Sequence, residues 1–138
     1  MLARPHDAVQ NRLMSTATSR RVGYVGLGNL GFHLAHSLLK AGHQLTVTDL
    51  NRSLAEPLLA AGASWSDDAA GVAAASDVVF TCLPSPRAIE SVLTGDRGLL
   101  AGAHDGLIWI DNSTNDQDET IRLSGIAAAR GVRMLESP

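Results

Sequence analysis

The sequence predicts an α/β fold: a doubly wound parallel sheet in three α/β/α layers. Three observations predict it. From Val22 onward, short apolar or β-branched runs alternate one for one with helical stretches, the pattern of parallel strands joined by crossover helices. A glycine-rich turn stands between the first run and the first helical stretch. The chain has 138 residues, 45% hydrophobic and 18% charged, which suits one globular domain with a core of ordinary size.

Residues 22–25 read as the first strand, and residues 29–41 as the first helix, stopped by Gly42. Gln44–Thr48 alternates and is β-branched, a second strand. Ser53 with Glu56 makes a capping box for a helix that runs to Ala61 and ends at Gly62, with Pro57 late in its first turn. A short strand at 63–65 follows, then a helix started by Ser66 and the acidic pair Asp67 and Asp68. Residues 77–82 form an apolar run bounded by turn signals, which reads as a buried central strand.

Ser85 before Pro86 supplies an N-cap with proline at the first helical position, opening a helix to about Leu93. Residues 95–106 read as loop, with a short turn at 99–101. The fifth strand is expected at 107–110 and the next helix at 115–130, where Thr114 and Gln117 match a capping box and Asp116 with Asp118 also read as caps at a helix start. Residues 132–135 begin a sixth and last strand, so the sheet is expected to end there.

Residues 1–21 are unlike the rest. They are polar, carry Arg4, Arg12, Arg20 and Arg21, and show no sustained apolar periodicity, so a disordered leader is expected before a folded domain at 22–138. The arginines and the Ser/Thr content suit an organelle transit peptide, but Asp7 and the weak amphipathicity count against one. No apolar run approaches the roughly 20 residues of a membrane-spanning helix. A formal net charge of −3 argues against a nucleic-acid partner, which calls for a basic face. The single cysteine, Cys82, can form neither an internal disulfide nor a zinc cluster; the expected location is the reducing cytoplasm, with the mitochondrial matrix second. His33 and His36 lie three apart on the first helix without an evident third ligand, so no metal site is expected.

Gly26-Leu27-Gly28-Asn29-Leu30-Gly31 is a G-x-G-x-x-G. Three glycines alone mark many tight turns. These follow a strand, open a helix, and have Asp49 at the end of the second strand, 23 positions after Gly26. That is the Rossmann-type dinucleotide fingerprint. Gly26 permits the tight turn, Gly28 lets the backbone approach a pyrophosphate, and Gly31 permits close packing of helix on strand. The N–H groups of Asn29, Leu30 and Gly31 then face the phosphate charge. Asp49 would accept from the adenosine ribose hydroxyls, which favours NAD; Arg52, three residues on, could accommodate a 2′-phosphate, which keeps NADP as the alternative.

The run from Tyr24 through Gly31, with Leu34-Ala35 and Leu39-Lys40-Ala41-Gly42-His43, resembles the N-terminal signature of the β-hydroxyacid dehydrogenases. That family includes 3-hydroxyisobutyrate dehydrogenase, tartronate semialdehyde reductase and 6-phosphogluconate dehydrogenase, with imine reductases as relatives. The resemblance continues through the block from Ala75 to Pro86, through Ile110-Asp111-Asn112-Ser113-Thr114, and through the block from Gly131 to Pro138. It implies that Leu83 and Pro84, and less directly Ala88, line the cofactor cleft. It also places Thr114 and Ser113 near the nicotinamide. Read without it, Leu83-Pro84-Ser85 is a strand exit with a cap, and Thr114 is half of a capping box.

The departures are specific. Leu30 and Leu34 stand where the family often has methionine, His33 where proline is common, and Glu136 where aspartate is typical. The family's substrate-contacting serine and glycines, its acid/base lysine and its C-terminal helical domain are expected beyond Pro138. The only lysine here, Lys40, sits at the far end of the first helix, so no catalytic residue is expected within these 138 residues. The resemblance implies the cofactor half of an oxidoreductase moving hydride between nicotinamide and a small β-hydroxy acid, homo-oligomeric when whole. A stand-alone dinucleotide-binding sensor or scaffold and an imine reductase relative are the other readings. A sheet ending at its sixth strand without the helical domain is expected to expose an edge and an apolar patch.

Overall fold

The computed structural model describes residues 19–138. Strands and helices alternate along them: β1 Arg21–Val25, α1 Asn29–Lys40, β2 Gln44–Thr48, a 3₁₀ turn Arg52–Ala55 leading into α2 Glu56–Ala60, and β3 Ser64–Trp65. There follow α3 Ala69–Ala74, β4 Val78–Thr81, α4 Pro86–Thr94, α5 Leu99–Gly102, β5 Ile108–Asp111, α6 Gln117–Ala128 and β6 Arg133–Glu136. The six strands make one sheet, paired in parallel throughout, in the order β3-β2-β1-β4-β5-β6. This is the Rossmann strand order, and it reverses direction between β1 and β4.

Alternation along each strand sends side chains to two faces. Val25, Val79 and Trp109 point to one face, where they meet Val72, Ile89, Leu93, Leu99, Leu123 and Ala127 from α3, α4, α5 and α6. Val22, Tyr24, Leu45 and Val47 point to the other and pack with Ala35 of α1 and Leu58 of α2. Trp109, wholly buried, keeps its indole N–H satisfied by donating to Thr81 Oγ1 at 2.9 Å. The helix stop at Gly42 is as expected. With φ at +94°, Gly42 donates to the Leu39 carbonyl and His43 to that of Leu38, which closes α1 with a Schellman motif.

Several boundaries differ from the sequence expectation for local reasons. β1 takes in Arg21, whose guanidinium pairs with Asp77 Oδ1 at 2.7 Å, and Arg20 N–H donates to His43 Nδ1; residues 1–18 of the expected leader lie outside the described residues. The Ser53–Glu56 capping box does not form. Asn51 Oδ1, two residues upstream, takes both the Ser53 N–H and the Ser53 hydroxyl, and α2 begins from Ala55 with no side-chain cap.

The next helix is capped by Asp68, which accepts from Gly71 N–H at 2.8 Å, while the Ser66 hydroxyl donates to the Asp68 carbonyl. Thr114 does not cap α6; Asp116 does, accepting from Glu119 N–H at 2.9 Å. The stretch expected as loop contains α5, because Leu99 and Leu100 turn inward and are buried. Ser85 caps α4 as expected, accepting from Ala88 N–H at 3.1 Å.

Candidate functional site

All the strands deliver their carboxyl ends to one edge of the sheet, and the crevice there opens between β1 and β4, where the strand order reverses. The glycine turn leaves β1 into this crevice. Gly26 has φ at +98°, and a Cβ on it would collide with the Cys82 carbonyl at the exit of β4. A Cβ on Gly31 would in turn collide with the Gly26 carbonyl. Both glycines therefore serve close backbone packing.

Gly28 is different. Its φ of −65° and ψ of −175° suit any residue, and nothing lies within 4 Å of where its Cβ would stand. It is exposed, as are Asn29 and Leu30 after it, in the first turn of α1, where backbone N–H groups have no helical acceptor. The turn is thus an open, donor-rich cradle.

Asp49 closes the crevice on the β2 side. Its Oδ2 accepts from Leu27 N–H at 2.6 Å and its Oδ1 from Asn51 N–H at 2.8 Å, so it braces the glycine turn. Each oxygen keeps a further lone pair for a ribose hydroxyl. Arg52, three residues on, holds its guanidinium carbon 5.2 Å from the centre of the Trp65 ring, a cation–π contact. Trp65 donates its indole N–H to Asp67 Oδ1 at 3.0 Å. Leu50, next to Asp49, is fully exposed.

Across the crevice, the exits of β4 and β5 are tied together. Leu83 donates its N–H to Ser113 Oγ at 2.8 Å, and Ser113 donates its own N–H to Asp111 Oδ1 at 3.0 Å. The Ser113 hydroxyl is buried and engaged in this bridge, whereas Thr114 is exposed and takes no part in the cap of α6. Pro84 is exposed and Ala88 half-buried behind it in α4. Asp111, Thr81 and Trp65 were not singled out from sequence. The available signal was the presence of an acid and a hydroxyl inside otherwise apolar strands.

Other groups stay outside the crevice. Lys40 ends α1, about 17 Å along the helix from the glycine turn. His33 and His36 pack around the Phe32 ring. The Cys82 thiol is held above its usual pKa, first by burial and then by the negative charge of Asp111, with the Gly31 N–H opposing, so it is neutral at pH 7. The Tyr24 hydroxyl is likewise pushed up, first by burial and then by Cys82 and Asp111, and it donates to Asn112 Oδ1 at 3.0 Å. Among the described residues, no helix is long and apolar enough to cross a membrane.

A glycine cradle at the reversal point, an acidic residue closing the second strand and a parallel sheet in this order together define a domain that binds a nicotinamide dinucleotide. The chain belongs to the family of the NAD binding domain of 6-phosphogluconate dehydrogenase, whose profile matches residues 21–138. It is 35% identical over 127 residues to a probable mitochondrial 3-hydroxyisobutyrate dehydrogenase of Dictyostelium discoideum, covering 92% of this chain and 40% of that protein. It is 32% identical over 123 residues to human cytokine-like nuclear factor N-PAC, covering 89% of this chain and 22% of that protein. Among solved structures, Mycobacterium tuberculosis 3-hydroxyisobutyrate dehydrogenase with L-serine superposes with a TM-score of 0.78 at 28% identity, over 85% of this chain and 39% of that one. The chain thus spans about two fifths of the length of the dehydrogenases it matches. The resemblance read from the sequence blocks is borne out, and so are the fold and the NAD(P) cofactor class.

Proposed function

We propose that these residues are the cofactor-binding part of a 3-hydroxyisobutyrate dehydrogenase-like oxidoreductase acting on a small β-hydroxy acid. The observation that carries the proposal is Gly28. It is the one glycine of the motif whose missing side chain leaves open space with ordinary backbone angles, so packing does not require it; as the N-cap of α1 it could be Ser or Asp on folding grounds, side chains that a bound pyrophosphate would exclude. Gly28, Asn29 and Leu30 would hold the pyrophosphate against the positive end of α1. Leu27 and Gly31 would shape the turn, and Asp49 with Arg52 would take the adenosine ribose. Leu83, Pro84, Ala88, Ser113 and Thr114 would flank the nicotinamide end.

A nicotinamide dinucleotide bound there supplies the hydride. Lys40 lies away from the crevice, so the proton of a substrate hydroxyl has no lysine partner among these residues. The 138-residue chain would bind cofactor without appreciable turnover, and the complete oxidoreductase would be a homo-oligomer in a reducing compartment such as the cytoplasm.

The test is a titration of the purified chain with NADH and NADPH, followed by nicotinamide fluorescence, in wild type and Gly28→Val. Wild type should bind. Gly28→Val should stay folded with its thermal midpoint lowered by no more than about 6 °C, since its Cβ meets no neighbour and only the N-cap preference is lost, while affinity falls about tenfold or more. Equal binding by both forms, or no binding by wild type, would overturn the reading.

A further inference from the structure

We infer that Asp111 is a positioning residue that sets the nicotinamide end of the crevice by locking the β4 and β5 exit loops to each other. The inference rests on the dinucleotide reading above and concerns residues that line no part of the cradle themselves. Asp111 ends β5, is 1% exposed, and stands in register with Thr81 of β4. A single oxygen, Oδ1, accepts two hydrogen bonds: from Thr81 Oγ1 at 2.8 Å and from Ser113 N–H at 3.0 Å. Thr81 Oγ1 in turn accepts from the buried Trp109 indole at 2.9 Å, and Ser113 Oγ accepts from Leu83 N–H at 2.8 Å.

The result is a continuous chain, Trp109 to Thr81 to Asp111, and Leu83 to Ser113 to Asp111. It begins in the core and ends on the backbone of both loops. A backbone bond strengthens the same junction, Asn112 N–H donating to the Thr81 carbonyl, while Ser137 N–H donates to the Asp111 carbonyl and ties the β6 exit to β5.

The energetics favour a role beyond folding. Among the described residues Asp111 has no cationic partner, only neutral donors, although burying a carboxylate without a counter-charge is costly. An apolar residue such as Val or Ile at this position, between Thr81 and Glu136, would avoid the cost of burying the carboxylate. What it could not do is direct Ser113 so that its hydroxyl captures Leu83. That bond fixes where Leu83 and Pro84 stand relative to Thr114, the two walls between which the nicotinamide ring would lie.

Two ligands separate positioning from general stability. NADH carries the nicotinamide; ADP-ribose has the same adenosine and pyrophosphate and lacks it. In Asp111→Ala and in Thr81→Val, ADP-ribose affinity should hold within about twofold, while NADH affinity falls about fivefold relative to it, the effect of one lost hydrogen-bonded restraint. Asp111→Asn retains an acceptor oxygen for both donors and should restore the NADH to ADP-ribose ratio. Thr81→Val, nearly isosteric, keeps the test open if Asp111→Ala fails to fold. Equal weakening of both ligands, or an unchanged ratio in Thr81→Val, would overturn the inference while leaving the dinucleotide reading intact. Failure of wild type to bind either ligand would overturn that reading and this inference with it.

Discussion

On the proposed function, Asp49 and Arg52 would pull in opposite directions on the choice of cofactor. The Asp49 carboxylate repels a 2′-phosphate and suits the free ribose of NAD, while the Arg52 guanidinium would attract the phosphate. The structure adds the contact that holds the arginine in place, its cation–π seat on Trp65. Arg52→Ala should therefore lower affinity for NADPH about tenfold and leave NADH within about twofold, the size of one charge-assisted contact. Parallel titrations with the two cofactors measure this, and equal losses for both would show that Arg52 has no part in reading the 2′ position. Asp49, Gly26, Gly28 and Gly31 were legible in the sequence because a fingerprint confined to one β-α-β unit has fixed spacing. Trp65, Thr81 and Asp111 were not, because their roles come from strand register and from a neighbouring strand's exit, which linear spacing does not encode. Thr81 meets Asp111 across 30 positions of chain.

At the scale of elements, the strands read more surely than the helix starts. A run such as residues 77–82 has one way to satisfy both its apolar content and its turn boundaries. The start of α6 offers two caps in overlapping frames, Thr114 with Gln117 and Asp116 with Glu119. The structure uses the second, Asp116 accepting from Glu119 N–H, and Asp118 and Glu119 add negative charge in the first turn where the helix dipole favours it. The choice leaves Thr114 exposed and outside the cap, where on the proposed function it would face the nicotinamide end. Asp116→Ala should cost about 1 kcal/mol of stability, and Thr114→Ala should cost close to none. Chemical denaturation of the two variants reads the difference directly, and the reverse order would mean that Thr114 is the cap. α5 was legible only as a short turn at 99–101 for a related reason: four residues are too few to show a helical period, and it is tertiary burial of Leu99 and Leu100 that makes them an element.

The molecule as a whole covers its two sheet faces unequally. On one face α3, α4, α5 and α6 bury a core that reaches from Val25 of β1 to Trp109 of β5, with Met134 of β6 packed against it. On the other, α1 and α2 cover β1 and β2, and cover thins out past β4. A row of side chains in register crosses that face: Tyr24, Phe80, Ile110 and Leu135. Tyr24 is buried and stacks on Phe80 with ring centroids 5.7 Å apart; Ile110 belongs to neither core, and Leu135 is 54% exposed. Among the described residues β6 is also an edge strand, paired only with β5. An apolar row running out to an unpaired edge attracts other apolar surfaces and other strands. The 138-residue chain should therefore associate with itself as its concentration rises, and Leu135→Lys, which places a charge on both the row and the edge, should return it to single chains. Light scattering across a concentration series separates the cases. A wild-type chain that stays monomeric at the highest concentration would show that the half-buried Phe80 and Ile110 shield the row well enough for Leu135 to stand in water alone.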